Sequence, residues 1–209
     1  MRKALPVMIA VSSGCLQVEP SQGVEATWSI ERLEDGEQAC PATWREVRLV
    51  NAATDRPETR TVDRFACTDR GGRSSQLAPG AYTSWLEFVD ADDQVVATSL
   101  SQSIEVGPFT TDVASTVYLD AGYASLAWSY DDEPFCGDTF NPLQWIQLSL
   151  TGPTTITSLF SCHDRQGIAG PFPAGRYTVR VGQGLIGHDR PAISIEAPNR
   201  VTVLPAETF

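Results

Sequence analysis

The cysteines are the residues with the most evident chemistry, because a thiol can form a disulfide, bind a metal or carry an acyl group. The chain has five of them. Four form two pairs of similar separation: Cys67 lies 27 positions after Cys40, and Cys162 lies 26 positions after Cys136. Four cysteines allow three pairings, and the near-equal separations favour one bridge within each pair. Cysteines this isolated suit a zinc site poorly, and Cys15 is left without a predicted thiol partner.

Side chains suited to acid-base or nucleophilic catalysis are few. His163 and His188 are the only histidines, and no lysine follows Lys3. His163 and Thr68 occupy equivalent positions of a sequence repeat, and the glycines around His188 predict a solvated turn. No nucleophile elbow, zinc-protease motif or phosphate-binding loop occurs in the sequence. We therefore predict no enzymatic activity, no catalytic residues and no cofactor.

Acidic residues cluster at two places, 90–93 and 131–133, where they offer the oxygen ligands that Ca²⁺ prefers. Neither cluster follows the calcium-loop pattern, and the first joins two apolar segments as a hairpin turn does. Solvated turns are the favoured interpretation, and we predict no metal site. The repeated pairs Asp69-Arg70 and Asp164-Arg165 also predict turns, in which the aspartate accepts main-chain hydrogen bonds and a glycine frees the following backbone angle.

The first fourteen residues have the layout of a secretory signal, with Arg2 and Lys3 before a short apolar run and small residues before Cys15. The run is too short to cross a bilayer as a helix. Small residues leading into a cysteine resemble the lipobox of bacterial lipoproteins, although Ser12 stands where that pattern prefers an aliphatic residue. The resemblance implies lipidation of Cys15, with a signal peptide over 1–14 and a lipidated tether over 15–22. An ordinary signal cleaved elsewhere is the alternative.

The chain contains an internal repeat. Segment 65–72 returns as segment 160–167, and a Gly-x-Tyr-Thr sequence begins at the same distance after each, at Gly80 and at Gly175. Repetition on this scale indicates two related modules. We predict that they occupy residues 23–120 and 121–209, each with one of the two cysteine pairs.

Alternating apolar residues predict short strands in both modules. Trp28 and Trp128 are predicted to be equivalent core residues of the first strand in each. The inward residues predicted for these two strands are Val24, Ala26, Trp28 and Ile30, then Ala124, Leu126, Trp128 and Tyr130. Frequent Pro and Gly between such strands predict an all-β protein made of two tandem antiparallel β-sandwiches, Ig-like or prealbumin-like, with one intradomain disulfide each.

Proline and glycine precede Tyr82 and Tyr177 at the start of a late strand in each module. This feature resembles fibronectin type III, prealbumin-like and carboxypeptidase-regulatory-like modules, and the resemblance implies that the two tyrosines form tyrosine corners. The order of elements also resembles secreted bacterial lipoproteins built from tandem modules of this kind.

Three tryptophans fall out of phase with the predicted core. Trp44, Trp85 and Trp145 share strand parity with polar residues, which places them on outward faces. An exposed tryptophan offers a rigid apolar surface to a sugar or a protein. The alternative, which the sequence favours equally, is that some of these tryptophans fill the junction between the modules. Only residues 120–122 are available as a linker, so the modules must contact each other.

Net charge limits the partners. The whole chain carries −11, and without residues 1–14 it has 13 basic against 26 acidic residues, a net of −13. Such a charge disfavours nucleic acid and anionic lipid surfaces. We predict an exported, non-enzymatic cell-envelope lipoprotein with a structural or recognition role, anchored by its lipid at the outer membrane. A carbohydrate-binding or adhesion module is the alternative, with an envelope protein or a glycan as partner.

Overall fold

The computed structural model describes residues 23–130, 145–183 and 186–209. Its first half holds two facing sheets. Their strands are β1 (Val24–Arg32), β2 (Gly36–Glu37), β3 (Trp44–Ala53), β4 (Arg56–Ala66), β5 (Gly71–Arg73), β6 (Gly80–Asp90), β7 (Val95–Thr98), β8 (Gln102–Val106) and β9 (Thr111–Tyr118). In one sheet β1 pairs with β2, β5 and β9, and in the other the order is β4-β3-β6, with β7 and β8 both beside β6.

The second half repeats this arrangement. Its strands are β10 (Ala121–Ser129), β11 (Trp145–Thr151), β12 (Thr155–Ser161), β13 (Gln166–Pro173), β14 (Gly175–Gln183), β15 (Ile186–Ile195), β16 (Val201–Val203) and β17 (Glu207–Thr208). One sheet joins β10 to β13, β16 and β17, and the other runs β12-β11-β14-β15. The predicted all-β sandwich fold is confirmed. Most neighbours are antiparallel, while β1 runs parallel to β9 and β10 runs parallel to β16 and β17.

Each half encloses its own core between its two sheets. Trp28 and Trp128 are both 4% exposed, as the alternation predicts. The other predicted inward residues of β1 and β10 are buried too, except Tyr130, which packs against the second core while partly exposed. The limits 23–120 and 121–209, understood as independently folding domains, stay a prediction.

The two cores share a set of contacts that the repeat encodes. The indole N–H of Trp28 donates to the carbonyl oxygen of Cys67 at 3.2 Å, and that of Trp128 donates to Cys162 at 2.9 Å. Each bond gives a buried indole N–H an acceptor, and leaving such a group unpaired would destabilise the fold. The implied tyrosine corners are present as well: the hydroxyls of Tyr82 and Tyr177 each donate, at 2.9 Å, to a carbonyl oxygen four residues earlier.

The repeated Asp-Arg pairs end two single 3₁₀ turns, Cys67–Asp69 and Cys162–Asp164. A carboxylate oxygen of Asp69 accepts from the main-chain N–H of Ala66 at 3.2 Å, as expected of a turn residue. The expectation that a glycine frees the backbone angle after each Asp-Arg pair is wrong, because Arg70 and Arg165 themselves adopt the left-handed angle, with φ of 61° and 60°. The glycines at 72 and 167 instead make room for a phenylalanine ring.

Segment 90–93 forms the predicted hairpin turn between β6 and β7. One carboxylate oxygen of Asp90 accepts from the N–H groups of Asp92 and Gln94, both at 2.9 Å. The other acidic segment, 131–133, lies outside the described residues. In the described ranges no three His, Cys, Asp or Glu side chains come together as they would around a metal ion. None of the helical turns described here is long and apolar enough to span a bilayer.

Candidate functional site

The first predicted cysteine pair is joined. Cys40 and Cys67 form a disulfide, with Cα atoms 6.0 Å apart. Cys162 is also disulfide-bonded. Its predicted partner Cys136 and the predicted lipidation site Cys15 lie outside the described residues, so both remain predictions.

Trp44 faces the core and is partly buried against it, which corrects its assignment to an outward face. Its ring centroid is 5.1 Å from that of Phe88, and the indole packs against the first core cluster. The cause is an irregularity in β3, whose register with β6 shifts between Trp44 and Glu46. A bulge places an extra residue in one strand, so side chains on either side of it no longer alternate by count.

Trp85 lies outside the core as predicted, but its indole already has partners in the chain. The guanidinium carbon of Arg60 lies 5.5 Å from the ring centroid, in a cation–π arrangement. The indole N–H donates to the carboxylate of Glu87 at 3.1 Å. Trp85 is therefore partly covered by charged neighbours of its own module, and little of its ring is left for an external ligand.

Further ion pairs cover the same sheet. Glu46 accepts from Arg48 at 2.6 Å and lies 3.3 Å from Arg64. Arg48 also pairs with Asp93 at the hairpin turn. The hydrogen bond to Glu46 is the main cause of a raised Arg48 pKa. The outward face of this sheet is thus occupied by paired charges.

Trp145 is exposed, with 47% of its surface accessible. It begins a face that we call the Trp145 face, made of the outward side chains of β11 and β12: Trp145, Gln147, Ser149, Thr157 and Leu159. The amide nitrogen of Gln147 donates to the Ser149 hydroxyl at 3.0 Å, and the hydroxyls of Ser149 and Thr157 are also 3.0 Å apart. The face combines one aromatic ring, the exposed Leu159 and a row of amide and hydroxyl groups.

A buried asparagine joins the two halves of the chain. Asn199, only 2% exposed, donates from its amide to the Thr98 carbonyl at 2.8 Å and accepts from the main-chain N–H of Tyr118 at 3.0 Å. Its φ of 52° is left-handed, a conformation that asparagine tolerates better than most residues. Nothing in the apolar pattern marks this residue, although Pro198 and Asn199 are both of types common in turns.

Beside this contact lies a groove of 460 Å³, which we call the junction groove. It is lined by Leu100, Ser101, Gln102, Ala114, Ser115, Thr116, Tyr118, Tyr123, Gly170 and Pro171. Burial raises the pKa of Tyr123 to about 12, with smaller contributions from Tyr118 and Glu31. Burial and Glu31 also raise the pKa of Tyr118. Two neutral phenols and several hydroxyl and amide groups therefore line the groove at neutral pH.

His188 is solvated as predicted, with 45% of its side chain exposed, but it lies in a strand and not in a turn. His188 lies in β15 opposite Val181, and its Nε2 is 3.0 Å from the carboxylate of Glu207, which also pairs with Arg190. The hydrogen bond with Glu207 is the main cause of a raised Arg190 pKa. Glu207 is 1% exposed, so this cluster ties the C-terminal strand to β15 and leaves its carboxylate closed to a substrate.

His163 follows the second bridged cysteine. Its Nδ1 lies 3.6 Å from the Cys162 sulfur. A disulfide sulfur is not a thiolate nucleophile. The contact therefore does not form a cysteine–histidine catalytic pair.

Neither a protein-family model nor a curated protein matches the chain. Among solved structures, it is similar to a minor pilin of Streptococcus agalactiae at 12% identity, over 90% of this chain and 95% of that one, with a TM-score of 0.35. A protein of Bacteroides thetaiotaomicron proposed to bind polysaccharide matches at 7% identity, over 80% and 78% of the chains, with a TM-score of 0.37. A proposed adhesin of Bacteroides ovatus matches at 10%, over 82% and 76%, with a TM-score of 0.32. Similarity this distant carries no argument about function.

Proposed function

We propose that this protein is a non-enzymatic cell-envelope lipoprotein that recognises a saccharide through the Trp145 face. The observation that carries the proposal is the 47% exposure of Trp145 at the end of a row of amide and hydroxyl groups. An indole face stacks against the carbon-bound hydrogens of a sugar ring, and neighbouring polar groups bond with its hydroxyls. A partner that covers the ring also removes a large apolar surface from water.

The contrast among the three tryptophans supports this choice of face. Trp44 packs into a core, and Trp85 has Arg60 and Glu87 as partners. Trp145 keeps the largest exposed ring surface of the three, and Leu159, 57% exposed, lies on the same face. The Trp145 face is therefore the surface where a ligand gains most from aromatic contact.

The surroundings of the histidines support a role without catalysis. The ring of His163 contacts a disulfide sulfur, and His188 is held against the buried Glu207 carboxylate. A general base must reach a substrate proton directly or through one water. Among the residues that the structure describes, neither histidine has the arrangement with a nucleophile that such a reaction needs.

The proposal includes export and a lipid on Cys15, with residues 1–14 removed. Leu16 rather than aspartate follows the cysteine, which by resemblance to bacterial lipoproteins favours the outer membrane. Acyl chains supply the membrane affinity in such proteins. We expect the Cys15→Ser variant to leave the membrane fraction and the mature native chain to carry the mass of the lipid. A variant that stays in the membrane fraction, or a native chain without that mass, contradicts the anchor.

The saccharide is tested with the detergent-solubilised full chain on an array of envelope glycans that includes peptidoglycan fragments. We expect the wild type to bind at least one glycan class and Trp145→Ala to bind it roughly tenfold more weakly, as for a residue at the centre of an interface. Trp85→Ala is the matched control, since it removes an outward indole that already has partners, and it should bind normally. No glycan binding by the wild type, or equal binding by Trp145→Ala, contradicts the proposal.

A further inference from the structure

Strand β9 has one paired edge and one free edge. It pairs in parallel with β1, and no strand in the described part of the chain pairs with its other side. The main-chain N–H of Thr111 donates to a main-chain oxygen just before β1, and that of Leu119 donates to a main-chain oxygen within β1. Because main-chain groups alternate in direction along a strand, the N–H and C=O groups of residues 112, 114, 116 and 118 point to the free edge.

Two side-chain amides already bond to this edge. The Asn199 side-chain oxygen accepts from the N–H of Tyr118 at 3.0 Å, and the Gln102 amide donates to the carbonyl oxygen of Ala114 at 2.7 Å. At this edge the Asn199 oxygen serves as an acceptor and the Gln102 amide as a donor. In a larger sheet the main chain of a neighbouring strand would provide these groups. Thr116 lies between these two positions, and its main-chain groups face the junction groove.

The groove has the size and walls for an extended chain. Its volume of 460 Å³ lies in the range of ligand pockets, about 300–1,000 Å³. Gln102 and its neighbours line it from the first half, and Tyr123 with Gly170 and Pro171 lines it from the second. Residues 114–116 and Tyr118 of β9 also line it, so a segment in the groove contacts this strand.

The charges around the groove select for a basic ligand. Glu31 lies opposite Tyr118 at one end of the β1–β9 pair. At the other end Asp112 lies opposite Glu25, which also has Arg73 of β5 opposite it. Glu31 acts on both groove tyrosines, since it contributes to the raised pKa of each. The chain as a whole carries −11. A cationic partner is attracted to this surface, and an acidic one is repelled.

We propose that the junction groove binds an extended basic peptide segment, which adds to the free edge of β9 as a further strand. Main-chain hydrogen bonds to Thr116 and its neighbours give affinity in this mode of recognition, and side chains on alternate positions give specificity. Lysine or arginine at those positions meets the carboxylate of Glu31 beside the groove tyrosines. The site is separate from the Trp145 face, so either can fail without the other.

The probe is a capped five-residue peptide of alternating lysine and valine, titrated into the full chain and followed by amide NMR shifts and calorimetry. We expect shifts centred on residues 112–118 and an affinity that falls as salt is added. Methylation of the two valine amide nitrogens should weaken binding roughly tenfold, because it removes main-chain donors and keeps the charge. No binding, or equal binding of the methylated peptide, overturns the proposal.

Two substitutions at one residue separate the main chain from the side chain. Thr116→Pro removes the edge N–H and leaves the bonds from β9 to β1, since proline is tolerated at free edges; it should abolish binding of the probe. Thr116→Val keeps the N–H and the side-chain shape and should bind normally. The reverse pattern, or shifts that map to the Trp145 face, overturns the proposal. Circular dichroism checks that both variants fold.

A further variant tests whether the ligand must be basic, and it also tests the proposal if Thr116→Pro does not fold. Glu31→Gln keeps the side-chain size and removes the carboxylate next to Tyr118. We expect it to weaken the lysine–valine peptide severalfold at low salt and to leave a serine–valine peptide unchanged. Equal weakening of both peptides overturns the assignment of a basic ligand.

Discussion

The side-chain oxygen of Asn199 accepts a hydrogen bond from the main-chain N–H of Tyr118, at 3.0 Å and across 81 residues of sequence. The amide of the same side chain donates to the carbonyl of Thr98, and the main-chain N–H of Asn199 donates to Ala121 at 2.7 Å. One buried asparagine thus joins the end of β7, the end of β9 and the start of β10. The junction between the halves is hydrogen-bonded at a defined point.

Removal of this side chain should destabilise the junction. Asn199→Gly keeps the left-handed backbone and leaves Thr98 and Tyr118 without their partner, at an expected cost of about 1–3 kcal/mol. Asn199→Asp keeps the acceptor for Tyr118 but faces the Thr98 carbonyl with an oxygen, so it should also be less stable than the wild type. Urea unfolding of the three proteins measures this. An Asn199→Gly curve that overlays the wild type contradicts the assigned role.

The glycine of each repeated turn provides space for a ring. A Cβ added at Gly72 would overlap the ring of Phe65, and one added at Gly167 would overlap Phe160. We expect Gly72→Ala and Gly167→Ala each to cost about 1–3 kcal/mol, the usual effect of overpacking. Gly107→Ala is the matched control, because no atom lies within 4 Å of its added Cβ. Thermal unfolding should separate the first two from the third, and three equal melting temperatures would count against the contact.

The core of this protein follows from sequence alternation where its first strands are regular. In β1, and in β10 from Ala124 onward, every second residue is apolar, and Trp28 and Trp128 are both buried. The turns and tyrosine corners also follow, since Asp, Pro, Gly and Tyr act there through local hydrogen bonds.

Alternation does not predict features that depend on distant partners. Trp44 changes face because the register of β3 with β6 shifts beside it, and a bulge of this kind is invisible in the apolar pattern. His188, still largely exposed, contacts the buried Glu207, which lies 19 residues away. The hydrogen bond between Asn199 and Tyr118 of β9 joins residues 81 positions apart, which no local propensity encodes.

The face change of Trp44 can be measured by truncation. Trp44→Ala should cost about 3 kcal/mol, near the lower end for buried aromatic residues, because its ring packs on Phe88. Trp28→Ala is the reference for a fully buried indole and should cost more. Trp145→Ala should change the free energy of unfolding by less than about 1 kcal/mol, because its ring is largely exposed. If Trp44→Ala is as mild as Trp145→Ala, the indole does not belong to the core.

The Cys40–Cys67 bridge should stabilise the half that contains it. Closing a loop of this size removes disorder from the unfolded chain, and loss of such a bridge typically costs about 2–5 kcal/mol. The double variant Cys40→Ala/Cys67→Ala should lower the unfolding midpoint of the first half. Hydrogen exchange of the β1 and β3 amides measures this loss of stability. The amides of β11 and β14 are the internal control. Equal loss of protection in all four strands would show that the halves unfold as one unit, against the predicted independent domains.

Tyr123 should make the stability depend on pH in the alkaline range. Burial raises its pKa in the folded protein to about 12, against about 10 in an unfolded chain. The folded state therefore holds the phenolic proton more tightly. Its contribution to stability is complete below about pH 10 and is lost as the pH rises from about 10 to 12. Tyr123→Phe has no proton to lose at this position. We expect the difference in unfolding free energy between wild type and Tyr123→Phe to be constant from pH 7 to 9 and to shift against the wild type above pH 10, as measured by urea unfolding at each pH. A difference that stays constant to pH 11.5 contradicts the buried phenol.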